Sequence, residues 1–318
     1  MRRRLGIIVA LVATFALATP AAAITNGQPD GGEHPYVGQL LFYVPDAQDS
    51  RFDDPGAWYN CSGTLVNSTI VLTAGHCTYA VGFDGESTIA DGGTGAGGTD
   101  IWFNLSEEPD YSFLPPSSSY ARDENDDRYE DWAAALDADP NWLEANSEGG
   151  AYPHITYNDN AFFLYDLGVV VLEEQVVLEQ YGAIAYENYL EQYASQRRND
   201  HRFTAVGYGL EKVLPFGVEG GDTRMQATVM LVNLKSGFGV PAGTSAIFSN
   251  NQGKAHQGGT CFGDSGGPIF VEGTNIIVAV TSFGVSPNCT GTGGAYRVDT
   301  QDDLEFLASF GVFPILAP

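Results

Sequence analysis

Short apolar runs, rich in β-branched and aromatic residues and closed off by glycine, proline or polar pairs, recur along most of the chain. This pattern restricts the fold more than any other feature, because a helix needs apolar residues repeating every 3.6 positions and such repeats are scarce here. Residues 34–44 (HPYVGQLLFYV) read as a strand after a turn, and residues 59–73 as two strands joined around Asn67 and Ser68. Residues 162–172 read as a buried strand carrying one acid, Asp166, and further strand-like runs lie at 203–207, 225–234, 269–272, 276–283 and 295–298. Many short strands joined by glycine-rich turns predict an all-β fold of sandwich or barrel type.

Three stretches break the pattern. Residues 82–160 mix glycine, acids, Ser-Pro pairs and aromatics without a sustained period, which predicts long loops with one short helix around 131–136, before Pro140. Residues 178–198, rich in Tyr, Glu and Gln, predict a helical turn or two bridging two halves of the molecule. Residues 302–310 open with two acids and set Leu304, Leu307 and Ala308 on one face, predicting a C-terminal helix.

The first 23 residues, MRRRLGIIVALVATFALATPAAA, place three arginines before an apolar run and then small residues, the tripartite pattern of a secretory signal cut after Ala23. The apolar run is short for a bilayer span, so the expectation is a secreted, extracellular protein with no membrane segment. Its formal net charge is −26, and loss of the leader arginines makes it more negative. Such a surface repels nucleic acid and anionic membranes. Four cysteines in an exported chain predict two disulfides, with three pairings open. No CxxC unit suggests a zinc site, and no metal or cofactor is expected.

The chemistry concentrates on Gly263-Asp264-Ser265-Gly266-Gly267-Pro268. A serine among glycines can present its hydroxyl on a sharp turn, with neighbouring N–H groups converging on a carbonyl oxygen. It needs a general base. Of five histidines, His76 alone sits between a β-rich run and a cysteine. Asp166, an acid among apolar residues, needs a partner if its strand is buried, and an imidazole bonded to it would keep one ring nitrogen free to take a proton from Ser265. The GxSxG elbow of α/β-hydrolases is excluded because its acid and histidine must follow the serine, whereas the last histidine is His256. The GxGxxG match at 93–98 lacks the preceding apolar strand. The acidic run 123–127 fails as an EF-hand, having Arg128 and Ala134 where Gly and Glu are needed, and reads as a solvated loop. Asn60, Asn67, Asn104 and Asn288 each begin a glycan acceptor triplet.

TAGHC at 73–77, DLGVV at 166–170 and GDSGGP at 263–268 together resemble the chymotrypsin-like, or trypsin-fold, serine proteases. Cys61, VGYG at 206–209, SFG at 282–284 and the C-terminal helix extend the likeness over the mature chain. The resemblance implies two antiparallel β-barrels of the six-stranded type packed together, with a short C-terminal helix. Residues 24–185 would form the first barrel, with an acidic insertion at about 84–160, and residues 186–318 the second barrel and the helix.

Carried over, it implies that Ser265 attacks, His76 shuttles the proton, Asp166 orients His76, and the N–H groups of Gly263 and Ser265 form the oxyanion hole. It also implies the pairs Cys61–Cys77 and Cys261–Cys289, and an ion pair between the Ile24 ammonium and Asp264, with Ile24 freed by signal removal itself. The substrate pocket falls on Gly259, Thr260, Ser282, Gly284 and Gly294, an uncharged slot suited to large apolar or aromatic side chains. The expected activity is that of a monomeric serine endopeptidase acting on proteins and peptides, with protein inhibitors as further partners. An esterase using the same triad and a catalytically inactive binding paralogue are the alternatives.

Overall fold

The computed structural model describes residues 24–83, 94–194, 201–214, 217–234, 240–250 and 258–318. The leader, His256 and the start of the GxGxxG match lie outside them. Short strand β1 (Gln28–Pro29) precedes the first sheet, made of β2 (Val37–Val44), β3 (Ala57–Leu65), β4 (Ile70–Thr73), β5 (Ile101–Asn104), β6 (Leu143–Glu144), β7 (Ala151–Pro153) and β8 (Gly168–Val171). Its order is β6-β5-β2-β3-β4-β8-β7. The turn between β3 and β4 is fixed by Asn67, whose Oδ1 accepts from the N–H groups of Thr69 and Ile70 at 2.9 Å each.

After β9 (Ala183–Ile184), the second sheet contains β10 (Arg202–Gly207), β13 (Met225–Asn233), β14 (Ser245–Asn250), β15 (Pro268–Val271), β16 (Ile276–Gly284) and β17 (Gly291–Arg297), with a separate hairpin of β11 (Leu210–Leu214) and β12 (Gly217–Gly220). The order β13-β10-β15-β16-β17-β14 returns to β13, closing a six-stranded barrel, with β1 added to β13 and β9 lying parallel on β16. The expected two-barrel fold is therefore present with one difference. The first sheet is an open, curled path of seven strands, its ends brought together by isolated bridges between Ala145 and Leu172 and between Gly98 and Ala151.

Alternation places one set of side chains inside each sheet. A core containing Val37, Leu40, Val71 and Val170 from the first sheet continues into Phe270, Ile277, Val280 and Tyr296 from the second. Each such side chain stabilises the fold by about 1.5–3 kcal/mol relative to exposure. A second cluster, with Ile24, Phe203, Val229 and Phe248, fills the closed barrel. Between the sheets, buried Arg224 donates from Nε to Asp30 at 3.0 Å and from Nη1 to the carbonyls of Val37 and Leu105 at 2.9 and 3.0 Å. The C-terminal helix α2 (Gln301–Ser309) returns to the first sheet, where Phe306 meets His154 and Phe310 meets Tyr152 at ring distances of 5.0 and 5.2 Å.

The region 82–160 differs most from the sequence expectation. It supplies β5, β6 and β7, and its helix α1 runs over Asn125–Ala138, four turns rather than one. The acidic run is thus not a solvated loop throughout, since Asp126 and Asp127 occupy the first turn of α1, where negative charge suits the helix dipole. Leu136 packs with Trp102, Leu41 and Trp142 on the sheet. The expected strand at 162–172 is also shorter. It starts at Gly168, after Tyr165 turns the chain at φ 53°.

Candidate active site

His76 sits in the middle of a single 3-10 turn, Gly75–Cys77, directly after β4. The turn is pinned by the Cys61–Cys77 disulfide to β3 and by a bond of 2.9 Å from the Thr78 hydroxyl to the Gly75 carbonyl. Asp166 is held at the entry to β8, which pairs with β4 from Thr73↔Gly168 onward, so the ladder itself sets the acid beside the turn. The His76 N–H donates to Asp166 Oδ1 at 2.9 Å, and His76 Nδ1 lies 3.0 Å from each carboxylate oxygen. Ser282 on β16 donates its hydroxyl to Asp166 Oδ2 at 2.5 Å. Burial alone would lower the His76 pKa, but the charge and hydrogen bond of Asp166, reinforced by Asp159, outweigh it and the net shift is upward.

Ser265 lies in the turn between Gly259 and β15. Its carbonyl accepts from the Ser62 N–H at 2.8 Å, and the Gly266 N–H donates to the Thr281 carbonyl at 2.8 Å. Gly266 is obligatory, because its φ is +75° and a Cβ there would lie 1.9 Å from Thr73 Oγ1. The Asp264 N–H is spent on the Cys261 carbonyl at 3.1 Å. Among the described residues, the N–H groups of Gly263 and Ser265 have no protein acceptor. Ser265, His76 and Gly263 border one cavity of about 750 Å3, although no hydrogen bond joins Ser265 to His76. Such bonds are commonly long before substrate binds.

Asp264 is fully buried. Its carboxylate accepts from the Gly209 and Cys261 N–H groups, each at 2.8 Å, and burial pushes its pKa up to about 7, which those bonds offset only in part. Ile24 is not bonded to it. The Ile24 side chain is buried in the second barrel, and Thr25 pairs with Gly259 through N–H to carbonyl bonds of 2.9 and 3.1 Å. The segment that begins at Ile24 is thereby stitched to the chain five positions before Asp264.

The second disulfide joins Cys261 to Cys289 beside a cavity of about 200 Å3. Thr260, Ser282 and Gly284 line this cavity, as do Phe162, Phe262 and Phe283. Gly259 and Gly294 do not. Gly259 faces the buried Asn250, and a Cβ on Gly294 would strike the Phe283 ring at 2.1 Å. The neighbour Gly293 looks onto Thr260 Oγ1 and the Asn250 amide at 3.1 to 3.3 Å, because successive strand residues face opposite ways. Asn250 Nδ2 donates to the Thr260 carbonyl at 3.1 Å and the Cys289 carbonyl at 3.4 Å, fixing the two chain segments against each other. Sequence reasoning missed Asn250, which ends a strand of weak pattern. Phe262 carried a signal, since it directly follows Cys261 and precedes Gly263.

No curated protein sequence matches the chain. The fold is similar to that of a solved protein described as HL collagenase, at a TM-score of 0.60 and 16% identity, covering 91% of this chain and 99% of the other. The family model described as Trypsin matches residues 133–303, more than half of the chain, including Asp166 and Ser265 and beginning after His76. With the geometry of His76 and the two-sheet fold added to that match, the chain belongs to the trypsin family of serine proteases.

Proposed function

We propose that this protein is a secreted serine endopeptidase whose catalytic groups are Ser265, His76 and Asp166. The observation that carries the proposal is the double hold of Asp166 on His76, through N–H and Nδ1, in the cavity that Ser265 also borders. Ser265 Oγ bonds to the substrate carbonyl carbon while its proton passes to His76 Nε2. Asp166 keeps Nδ1 protonated and stabilises the imidazolium. The oxyanion takes hydrogen bonds from the Gly263 and Ser265 N–H groups. The C–N bond then breaks, with the proton passing from His76 to the leaving amine, and water hydrolyses the acyl-enzyme by the same route.

Large apolar residues are the proposed preference before the cut bond, since among the described residues no charged side chain lines the smaller cavity and Phe162 and Phe283 border it. Secretion is supported by the leader pattern and by the two disulfides. The proposed division into domains at 24–185 and 186–318 follows the two sheets, with β1 and β9 crossing to the second. Cleavage after Ala23 is proposed to free the Ile24 ammonium to pair with Asp264. A buried carboxylate bonded only by backbone N–H groups supports this, as does the stitching of Thr25 to Gly259.

The test is a phosphonylating reagent followed by peptide mapping, beside hydrolysis of paired peptide and ester substrates. Labelling at Ser265 and peptide cleavage, both lost in Ser265→Ala, are expected. Ester hydrolysis alone would indicate an esterase, and absence of labelling would indicate a binding paralogue.

A further inference from the structure

Two cavities meet at Ser265 and Phe262, and they differ in charge. His76 borders the larger and not the smaller. On the proposed mechanism, on which this inference rests, His76 protonates the leaving amine, so the peptide that follows the cut bond departs through the larger cavity. Its volume, about 750 Å3, accommodates more than one side chain.

Among the described residues, the charged side chains on its wall are Asp46, Asp159 and His76, with no lysine or arginine. Asp159 stands exposed at the start of a 3-10 turn, Asp159–Ala161. Its field reaches inward. Burial raises the hydroxyl pKa of Tyr79 and of Tyr157, and the Asp159 charge adds to the rise at both. The two rings meet edge to face at 5.2 Å, and the buried Tyr157 hydroxyl has no hydrogen-bond partner among the described residues. A long cationic side chain suits such a wall. Its alkyl stem lies along the rings, its cation is attracted to their faces and to the carboxylates, and its N–H groups can donate to a phenolic oxygen.

We propose that the larger cavity selects substrates with Lys or Arg at the first positions after the cut bond, with Asp159 as the specificity-determining carboxylate. An acid at those positions meets like charge. The enzyme would thus read an apolar residue on one side of the bond and a basic one on the other.

The test uses peptides identical except for Arg, Ala or Glu at the two positions after the cut bond, at low and high salt. The expected kcat/KM order is Arg over Ala over Glu, with the extremes separated on the order of tenfold, the scale of partly exposed ion pairs. The ratio should shrink when salt rises from about 0.01 to 1 M, as screening shortens from about 30 to 3 Å. It should also shrink in Asp159→Asn. Binding of the same peptides to Ser265→Ala by calorimetry separates the two readings. Tighter binding of the Arg peptide without turnover in the unaltered enzyme would keep this inference and sink the protease reading. Turnover with equal or reversed preference would sink this inference and keep the protease.

Discussion

The Ser282 hydroxyl donates to Asp166 Oδ2 at 2.5 Å, so the acid that orients a histidine of the first sheet is locked from the second barrel. Asp166 in turn raises His76 above its ordinary pKa. On the proposed mechanism His76 must be neutral to accept the Ser265 proton, so kcat/KM should rise with pH through a midpoint above the usual histidine value of about 6.5. Asp166→Asn should move that midpoint down and lower kcat on the order of 10⁴-fold, the magnitude known for this change in the family's reference enzyme. A pH–rate profile of both proteins checks this. A flat profile across the histidine range would exclude His76 as the base. In folding the sign runs the other way: a raised His76 pKa adds stability below about pH 6.5 that is lost as pH climbs through the folded value.

Asp264 supplies a second pH signature. With its pKa pushed up to about 7 from 3.8, ionising it costs folding free energy, so a chain still carrying the leader should lose stability as pH rises between those values. A chain beginning at Ile24 places an ammonium at the proposed pairing position. It should resist that loss and weaken only at alkaline pH, as the ammonium, raised above about 8, gives up its proton. Thermal melts of the two forms across pH, with peptide hydrolysis alongside, compare them. Identical curves would show that Asp264 is satisfied by the Gly209 and Cys261 N–H groups alone.

Legibility divides along one physical line. Ser265, His76 and Asp166 were readable because each sits in a local context that needs explaining: a serine among glycines, a histidine beside a cysteine, an acid among apolar residues. Strands β2, β3, β4, β8, β10, β13, β15, β16 and β17 were readable from their runs, whereas β5, β6, β7 and β14 were not. Of helix α1 only the stretch 131–136 was readable and its full span was not, because its buried residues are Asn125, Arg128 and Leu136, and two polar residues in three erase the apolar stripe that periodicity detects. Gly294, expected at the pocket, faces the Phe283 ring, and a shift of one position along a strand reverses the face. Only pairing with β16, where Phe283 lies opposite Gly294 and Gly284 opposite Gly293, sets that parity.

The two glycines give opposite predictions. Gly293→Ala places a methyl group 3.1 Å from Oγ1 of Thr260, which lines the smaller cavity, and close to the Asn250 amide. KM for Phe and Tyr substrates should rise several-fold more than KM for Leu substrates, with little change in melting temperature. Gly294→Ala drives a methyl into the Phe283 ring, and the displaced ring should cost about 1–3 kcal/mol of stability. Steady-state kinetics and melting curves of the two variants test the assignment, and the reverse pattern would restore Gly294 to the pocket.

Arg128 tests how α1 is held to the first sheet. Its side chain is fully buried, Nη1 lies 3.2 Å from Asp49 Oδ2, and the guanidinium sits 4.2 Å from the centre of the Phe52 ring. Nε and Nη2 have no hydrogen-bond partner among the described residues. Burial lowers its pKa and the bond to Asp49 only partly opposes this, so the ion pair meets a large desolvation cost. Arg128→Ala leaves a cavity beside Phe52 and removes one of the two cations on Asp49, and should lower unfolding free energy by about 2–5 kcal/mol in urea titration. Arg128→Met fills the same slot with a flexible apolar chain, and Asp49, still bonded to Arg51, keeps a cation. Its stability should lie much nearer the unaltered protein than that of Arg128→Ala. If Met proves as damaging as Ala, the charge itself fastens α1; if Met is neutral, packing on Phe52 and Trp132 does so, and the arginine is replaceable without loss of fold.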